Sequence, residues 1–153
     1  EFRRVLFRSF LIQPKFIPEN FIAKDPKTWL NYCLKKWSGG FNFKGIEKYY
    51  LKYFKNYKRI HSSCEDYRAG ASIDLVHDKK DLKKKLHIPL QVLWGKNGRV
   101  GKKFKPLKVW QKYTTQKVEG KGFNCKHFIA EEAPKQTLNE MQKFFLKYSG
   151  FNY

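Results

Sequence analysis

Asn124-Cys125-Lys126-His127-Phe128-Ile129-Ala130-Glu131-Glu132-Ala133-Pro134 is the stretch on which the reading of this chain turns. It places a histidine in a short loop between an expected strand, Gln116 to Lys121, and an expected helix. The helix should begin near Pro134, because a first helical turn has no use for the N–H that proline lacks. Leu138, Met141 and Phe145 then recur at i, i+3 and i+7 and predict a stripe buried against a core. A histidine between strand and helix can serve as a general base, and it can also simply cap or pack. Taken alone it reads as a packing residue, so the neighbouring segments decide.

Outward from this loop, Ile88 to Trp94 is a short apolar run closed by Gly95, the pattern of a buried strand, with Pro89 at the end where strands tolerate it. Pro106 to Thr114 predicts a helix with Leu107, Val109 and Trp110 packing down, after which the strand at Gln116 begins. Strand, helix, strand is a βαβ unit, so the two strands should lie parallel with a right-handed crossover. Parallel sheets are normally covered on both faces and built from more strands. The expected class is therefore α/β, with this chain carrying the tail of a larger sheet.

The first half reads as helical. Ser9 to Asn20, with Pro14 and Pro18, predicts an extended connector. Asp25-Pro26 supplies an N-cap and a first-turn proline; Trp29, Leu30, Cys33, Leu34 and Trp37 follow at helical spacing, and Gly39-Gly40 ends the run. A second helix carries Ile46, Tyr49, Tyr50, Tyr53, Phe54 and Tyr57, expected to pack inward. A third runs through Ile60, Cys64, Tyr67 and Ala71 and toward Leu75, and a short basic helix, Asp78 to Leu86, leads out.

Composition narrows the function classes. The 153 residues carry a net charge of +20, which suits an anionic partner. Yet the lysines are spread along every segment, only Lys83-Lys84-Lys85 forms a tight run, and no zinc-finger, KH or RRM signature accompanies them. No nucleic-acid partner is expected. Neither a membrane-length apolar run nor a signal-peptide pattern is found, so no membrane association is expected either. Cys33, Cys64 and Cys125 are odd in number and widely spaced, which fits neither a disulfide framework nor a zinc site. The expectation is a cytoplasmic protein without metal or cofactor. Three of the six arginines fall within Glu1 to Arg8, after which lysine supplies nearly all the positive charge, so residues 1–8 read as a non-native leader.

The run Cys64-Glu65-Asp66-Tyr67-Arg68-Ala69-Gly70-Ala71-Ser72-Ile73-Asp74-Leu75-Val76-His77-Asp78 resembles the cap-domain signature of the fluoroacetate (haloacetate) dehalogenases of the α/β-hydrolase fold. Ser9-Phe10-Leu11-Ile12-Gln13-Pro14 and Ile17-Pro18-Glu19-Asn20 are similar to the start of that cap, and Val92-Leu93-Trp94-Gly95 and His127 to Pro134 to the end of the core. The resemblance runs from Ser9 to about Tyr148, with the Cys64–Asp78 run its most diagnostic part. It implies the C-terminal half of such an enzyme: a helical cap over residues 9–86, then over 87–153 the last two parallel strands and their helices. It also implies roles. His127 matches the histidine that activates water against an aspartyl ester, Tyr67 a cap tyrosine that holds the departing halide, and Trp37 a cap tryptophan near the substrate channel. Trp37 is equally a member of its helix stripe.

The family's nucleophilic aspartate, its substrate-clamping arginines and the acid partner of its histidine match no position here. Phe7-Arg8 stands where its halide-binding His-Trp pair would be. The reading is thus a hydrolase releasing halide from a small halogenated carboxylate, inactive as these 153 residues, with a homodimer possible for the complete protein. An epoxide hydrolase or another α/β hydrolase is the alternative, and a non-catalytic basic binding module the rival from another class. His61, His77 and His87 read as structural. Glu131 and Glu132 suit a helix dipole, and Asp66 and Asp74 suit pairing with Arg68 or lysines.

Overall fold

The computed structural model describes residues 2–149, which divide into two compact units. The first comprises the described residues up to Leu34 together with Asn42–Asp81; the second comprises Lys35–Phe41 and the described residues from Leu82 onward. Residue 1 of the expected leader and residues 150–153 of the expected core segment lie outside the described residues.

In the first unit, α1 (Phe2–Leu11) and α2 (Ile17–Lys24) replace the extended connector expected over Ser9 to Asn20. The prolines do not oppose this. Pro14 lies between the two helices, and Pro18 sits in the first turn of α2, where its missing N–H costs no hydrogen bond. The turn between them is tight enough to hold Phe16 at φ 77°, a left-handed conformation. Residues of the expected leader take part in α1, where Phe7 stacks on Trp29 with ring centroids 5.2 Å apart.

The next helices follow the expected pattern with shifted ends. Asp25 caps α3 (Pro26–Trp37) by accepting the Thr28 N–H at 3.0 Å, and Gly39 and Gly40 end it at φ 68° and 98°. α4 (Glu47–Phe54) is followed by α5 (Tyr57–Gly70), whose N-cap Asn56 accepts the Lys58 N–H at 2.9 Å. The short basic helix begins earlier than expected, as α6 (Ile73–Asp81), because α5 breaks at Gly70. Leu11, Ile22, Ile60 and Cys64 form the core of this unit, ringed by Phe7, Phe10, Trp29, Phe54 and Tyr67. Phe54 of α4 packs on this core, but Tyr49 and Tyr53 of the same helix do not pack inward as expected. No residue of α4 is buried, and Tyr49 is 61% and Tyr53 53% exposed, their rings instead lying under the ammonium groups of Lys48 and Lys52.

In the second unit, β1 (Gln91–Gly95) and β2 (Glu119–Phe123) pair in parallel, Gln91 opposite Glu119 and Gly95 opposite Phe123. The crossover carries α7 (Arg99–Lys103), α8 (Pro106–Trp110) and a 3-10 turn at Gln111–Tyr113. Both strands start about three residues later than the sequence suggests, for identifiable reasons. Pro89 has no N–H to give a ladder, while the Gln116 N–H is taken by Thr114 Oγ1 and the Val118 N–H by Gln111 Oε1. After β2 come the one-turn α9 (Ile129–Glu132) and α10 (Pro134–Tyr148). Phe123, Cys125 and Ala133 make the core, with Leu93 and Ile129 packed against it.

Two inward-facing expectations fail in this unit. Leu138 and Phe145 are 57% and 60% exposed, and Met141 is exposed with them, so the α10 stripe is not buried. Val109 and Trp110 are exposed as well. The cause is geometric: two five-residue strands offer too little surface to cover the apolar faces of both helices. Only Thr137 of α10 is buried, its hydroxyl donating to the carbonyls of Ile129 and Ala133. Among the described residues no helix is long and apolar enough to cross a membrane.

Candidate active site

The histidine loop is fixed from three sides, all within the second unit. From the side of β1, the loop after that strand is laced to it: Lys96 N–H donates to the Phe123 carbonyl at 2.8 Å, Asn97 N–H to the Cys125 carbonyl at 3.0 Å, and the Asn97 amide to Asn124 Oδ1 at 2.7 Å. Gly95 makes this approach possible, since a Cβ there would lie 1.7 Å from the Lys126 carbonyl oxygen. From the side of α9, Glu132 accepts the Lys126 N–H and the Phe128 N–H, both at 2.9 Å. From the third side comes the turn after α3, where the Lys126 side chain lies across Gly39.

That turn brings Trp37 to His127. Their ring centroids are 5.4 Å apart at 69°, edge to face, and Phe128 flanks the imidazole at 4.9 Å and 83°. His127 is solvent-exposed, just beyond the carboxyl end of β2, the end of a parallel sheet where ligands gather. Two residues ninety positions apart in sequence, both named by the resemblance, are thus in ring contact. Neither imidazole nitrogen has a hydrogen-bond partner among the described residues.

Tyr67 belongs to the first unit. It projects from α5 onto the Leu11/Ile60/Cys64 core, with its ring 5.8 Å from Phe7 and nearly perpendicular to it. Burial, aided by neighbouring Cys33, raises the pKa of its phenol, so it stays a protonated donor. No hydrogen bond to its hydroxyl is seen among the described residues.

The first unit also holds a charged cluster. Glu19 on α2 has no solvent exposure, and Arg68 donates to its two oxygens at 2.7 and 3.1 Å, to Glu65 at 2.6 Å and to the Gln13 carbonyl at 2.9 Å. His61 Nδ1 is 3.0 Å from Glu19. Burial alone would raise the Glu19 carboxyl, but the Arg68 hydrogen bonds, its own backbone and His61 outweigh that and hold it at about 2. Arg68 therefore pairs with Glu19 and Glu65 rather than with Asp66 or Asp74. Only the i,i+3 spacing of Glu65 and Arg68 was visible beforehand. Glu19, His61 and Glu65 offer donor atoms within 4.8 Å of one another, but the guanidinium bridging both carboxylates already supplies the positive charge a metal would bring.

The cysteines are protected thiols. Burial pushes Cys33 up to about 12 and Cys64 to about 11, and raises Cys125 too.

No protein-family model matches the chain. A fluoroacetate dehalogenase from Burkholderia sp is 32% identical over 139 residues, which is 88% of this chain and 45% of that protein. Three solved structures share its architecture. A protein provisionally named an acyltransferase from Salmonella enterica superposes with a TM-score of 0.86 at 34% identity, over 95% of this chain and 48% of its own. A provisional α/β hydrolase from Nostoc sp PCC 7120 gives 0.82 at 38%, over 92% and 49%. A provisional epoxide hydrolase from Pseudomonas aeruginosa gives 0.80 at 30%, over 92% and 48%. The parallel strand pair, the histidine loop at its carboxyl end and these similarities agree: the chain has the architecture of the α/β-hydrolase fold, and it spans about half the length of the relatives it matches, a fluoroacetate dehalogenase among them.

Proposed function

We propose that the chain is the C-terminal half of a hydrolase that releases halide from short 2-halocarboxylates, with residues 9–86 as its cap and 87–153 as the end of its core. The observation that carries this reading is His127, held at the carboxyl end of β2 with its imidazole against Trp37, in a chain similar over 88% of its length to a fluoroacetate dehalogenase. In the proposed reaction a carboxylate supplied by the remainder of the enzyme displaces halide from the substrate's C2, forming an ester. His127 then takes a proton from water, the hydroxide equivalent attacks the ester carbonyl, and the 2-hydroxycarboxylate leaves as the carboxylate is restored. Tyr67, a neutral phenol donor, is assigned to the departing halide, where charge builds as the carbon–halogen bond breaks. Trp37 forms a wall of the substrate site beside the base.

An epoxide hydrolase is the second reading, supported by the likeness to the Pseudomonas aeruginosa structure. Nucleophile and histidine would serve equally for an epoxide, and one scaffold hosts several reactions. A hybrid separates the two: residues 9–149 of this chain replace the matching segment of the Burkholderia dehalogenase, and fluoroacetate, chloroacetate and a terminal epoxide are each supplied. Halide release from the haloacetates without diol formation is the expected result. Diol formation without halide release would assign the epoxide reaction instead.

A further inference from the structure

Glu132 closes α9, and its side chain folds back over the loop that precedes the helix. Each carboxylate oxygen takes one backbone amide: Oε2 accepts from Lys126 and Oε1 from Phe128, both at 2.9 Å. Those amides flank His127 on either side. Fixing both restricts the backbone dihedrals through which the His127 Cα–Cβ bond is aimed. The peptide between those two amides, Lys126–His127, is hemmed in by β1, because the Lys126 carbonyl lies where a Cβ on Gly95 would be. Asn97 secures the loop's entry through the Cys125 carbonyl and Asn124. The carboxylate clasp is thus the movable jaw of a grip whose other jaw is the end of a strand.

Helix capping accounts for only half of this arrangement: Phe128 is the N-cap of α9, and a first-turn glutamate can accept its N–H, but the Lys126 N–H lies two residues before the cap. The second oxygen reaches past the cap to the amide on the far side of His127, so the one carboxylate spans the histidine. Only an ionised carboxylate presents two acceptors and no donor. Glutamine would keep one acceptor and set its NH2 against the second N–H. We propose that Glu132 is a positioning residue, a clasp on the Lys126 and Phe128 amides that holds the His127 imidazole against Trp37. Its significance for catalysis rests on reading His127 as the base.

The test uses isotope-labelled chain and nuclear magnetic resonance, and needs no catalysis. Trp37→Leu first defines how far the indole shifts the His127 ring protons. Glu132→Gln should then speed hydrogen exchange at the Lys126 and Phe128 amides about tenfold or more. It should also remove at least half of the indole-induced shift, while Glu131→Gln, the same charge change one residue away, leaves that shift in place. Should Glu132→Gln fail to fold, Glu132→Asp keeps the charge but shortens the reach; it should release at least one amide and reduce the shift in proportion. If either variant lowers thermal stability while the His127 ring resonances stay at their wild-type positions, Glu132 is only a structural brace and the proposal is wrong. That outcome would leave the halide-release reading untouched. Conversely, a hybrid enzyme that releases no halide would remove the catalytic reading without altering the clasp.

Discussion

Replacing Arg68 by Met tests the account of the first unit. The Arg68 side chain is 15% exposed and its partner Glu19 is fully buried, so the change leaves a carboxylate with no water to return to and only His61 beside it. Breaking such a pair from one side costs about 3–5 kcal/mol. The carboxyl gives an independent figure. Held at about 2 in the folded chain against an ordinary 4.5, it contributes roughly 3 kcal/mol at neutral pH, an upper value given that part of the cluster faces solvent. The sign follows from the direction of the shift. A depressed carboxyl stabilises the fold above its unfolded value and loses that contribution as pH falls from 4.5 toward 2, so about 1 kcal/mol should remain at pH 3. Urea unfolding followed by circular dichroism should show Arg68→Met costing about 3 kcal/mol at pH 7 and much less at pH 3. Adding Glu19→Met should recover most of the loss, because removing both charges also removes the unpaired one. A cost below about 1 kcal/mol at pH 7, or one that does not change with pH, would refute the reasoning.

Gly95→Ala should be among the most damaging single changes in the second unit, costing about 2–4 kcal/mol, because its Cβ would meet the Lys126 backbone oxygen at 1.7 Å and no side chain can move to relieve it. Wild-type stability with the His127–Trp37 ring contact intact by nuclear magnetic resonance would contradict this. Tyr67→Phe, in the hybrid enzyme, should slow fluoride release by about 1–3 kcal/mol of barrier and chloride release by less, since fluoride leaves with more localised charge. Equal slowing, read by ion electrodes at saturating substrate, would take Tyr67 out of the halide site.

Much of the second unit was legible in the sequence because its signals are local. The apolar run before Gly95 and the strand leading to the histidine loop predict parallel neighbours, and they pair from Gln91 with Glu119 to Gly95 with Phe123. Strand ends were less legible, since side chains of Thr114 and Gln111 capture amides that the pattern would give to the ladder. The α10 stripe and the α4 aromatics show where periodicity misleads: it identifies an apolar face but cannot say whether these 153 residues contain what would cover it. Trp37 and His127 were each named from the sequence, yet their contact depends on how the Gly39 turn reaches the loop, which no spacing encodes. Glu19 lies in a stretch similar to the start of the cap, but nothing in that stretch points to its partner. A glutamate between Pro18 and Asn20 resembles any surface residue until Arg68, 49 positions later, is folded against it.

The central claim is that His127 hydrolyses an ester that a separate carboxylate forms, and one mass-spectrometric measurement tests it most directly. His127→Asn is introduced into the hybrid enzyme, which is mixed with fluoroacetate, digested and weighed peptide by peptide. The account predicts a single round of fluoride release and a stoichiometric carboxymethyl ester on an aspartate of the dehalogenase-derived half, with residues 9–149 unmodified. Continued turnover at the rate of the parent hybrid, with no adduct, would show that His127 is not the base.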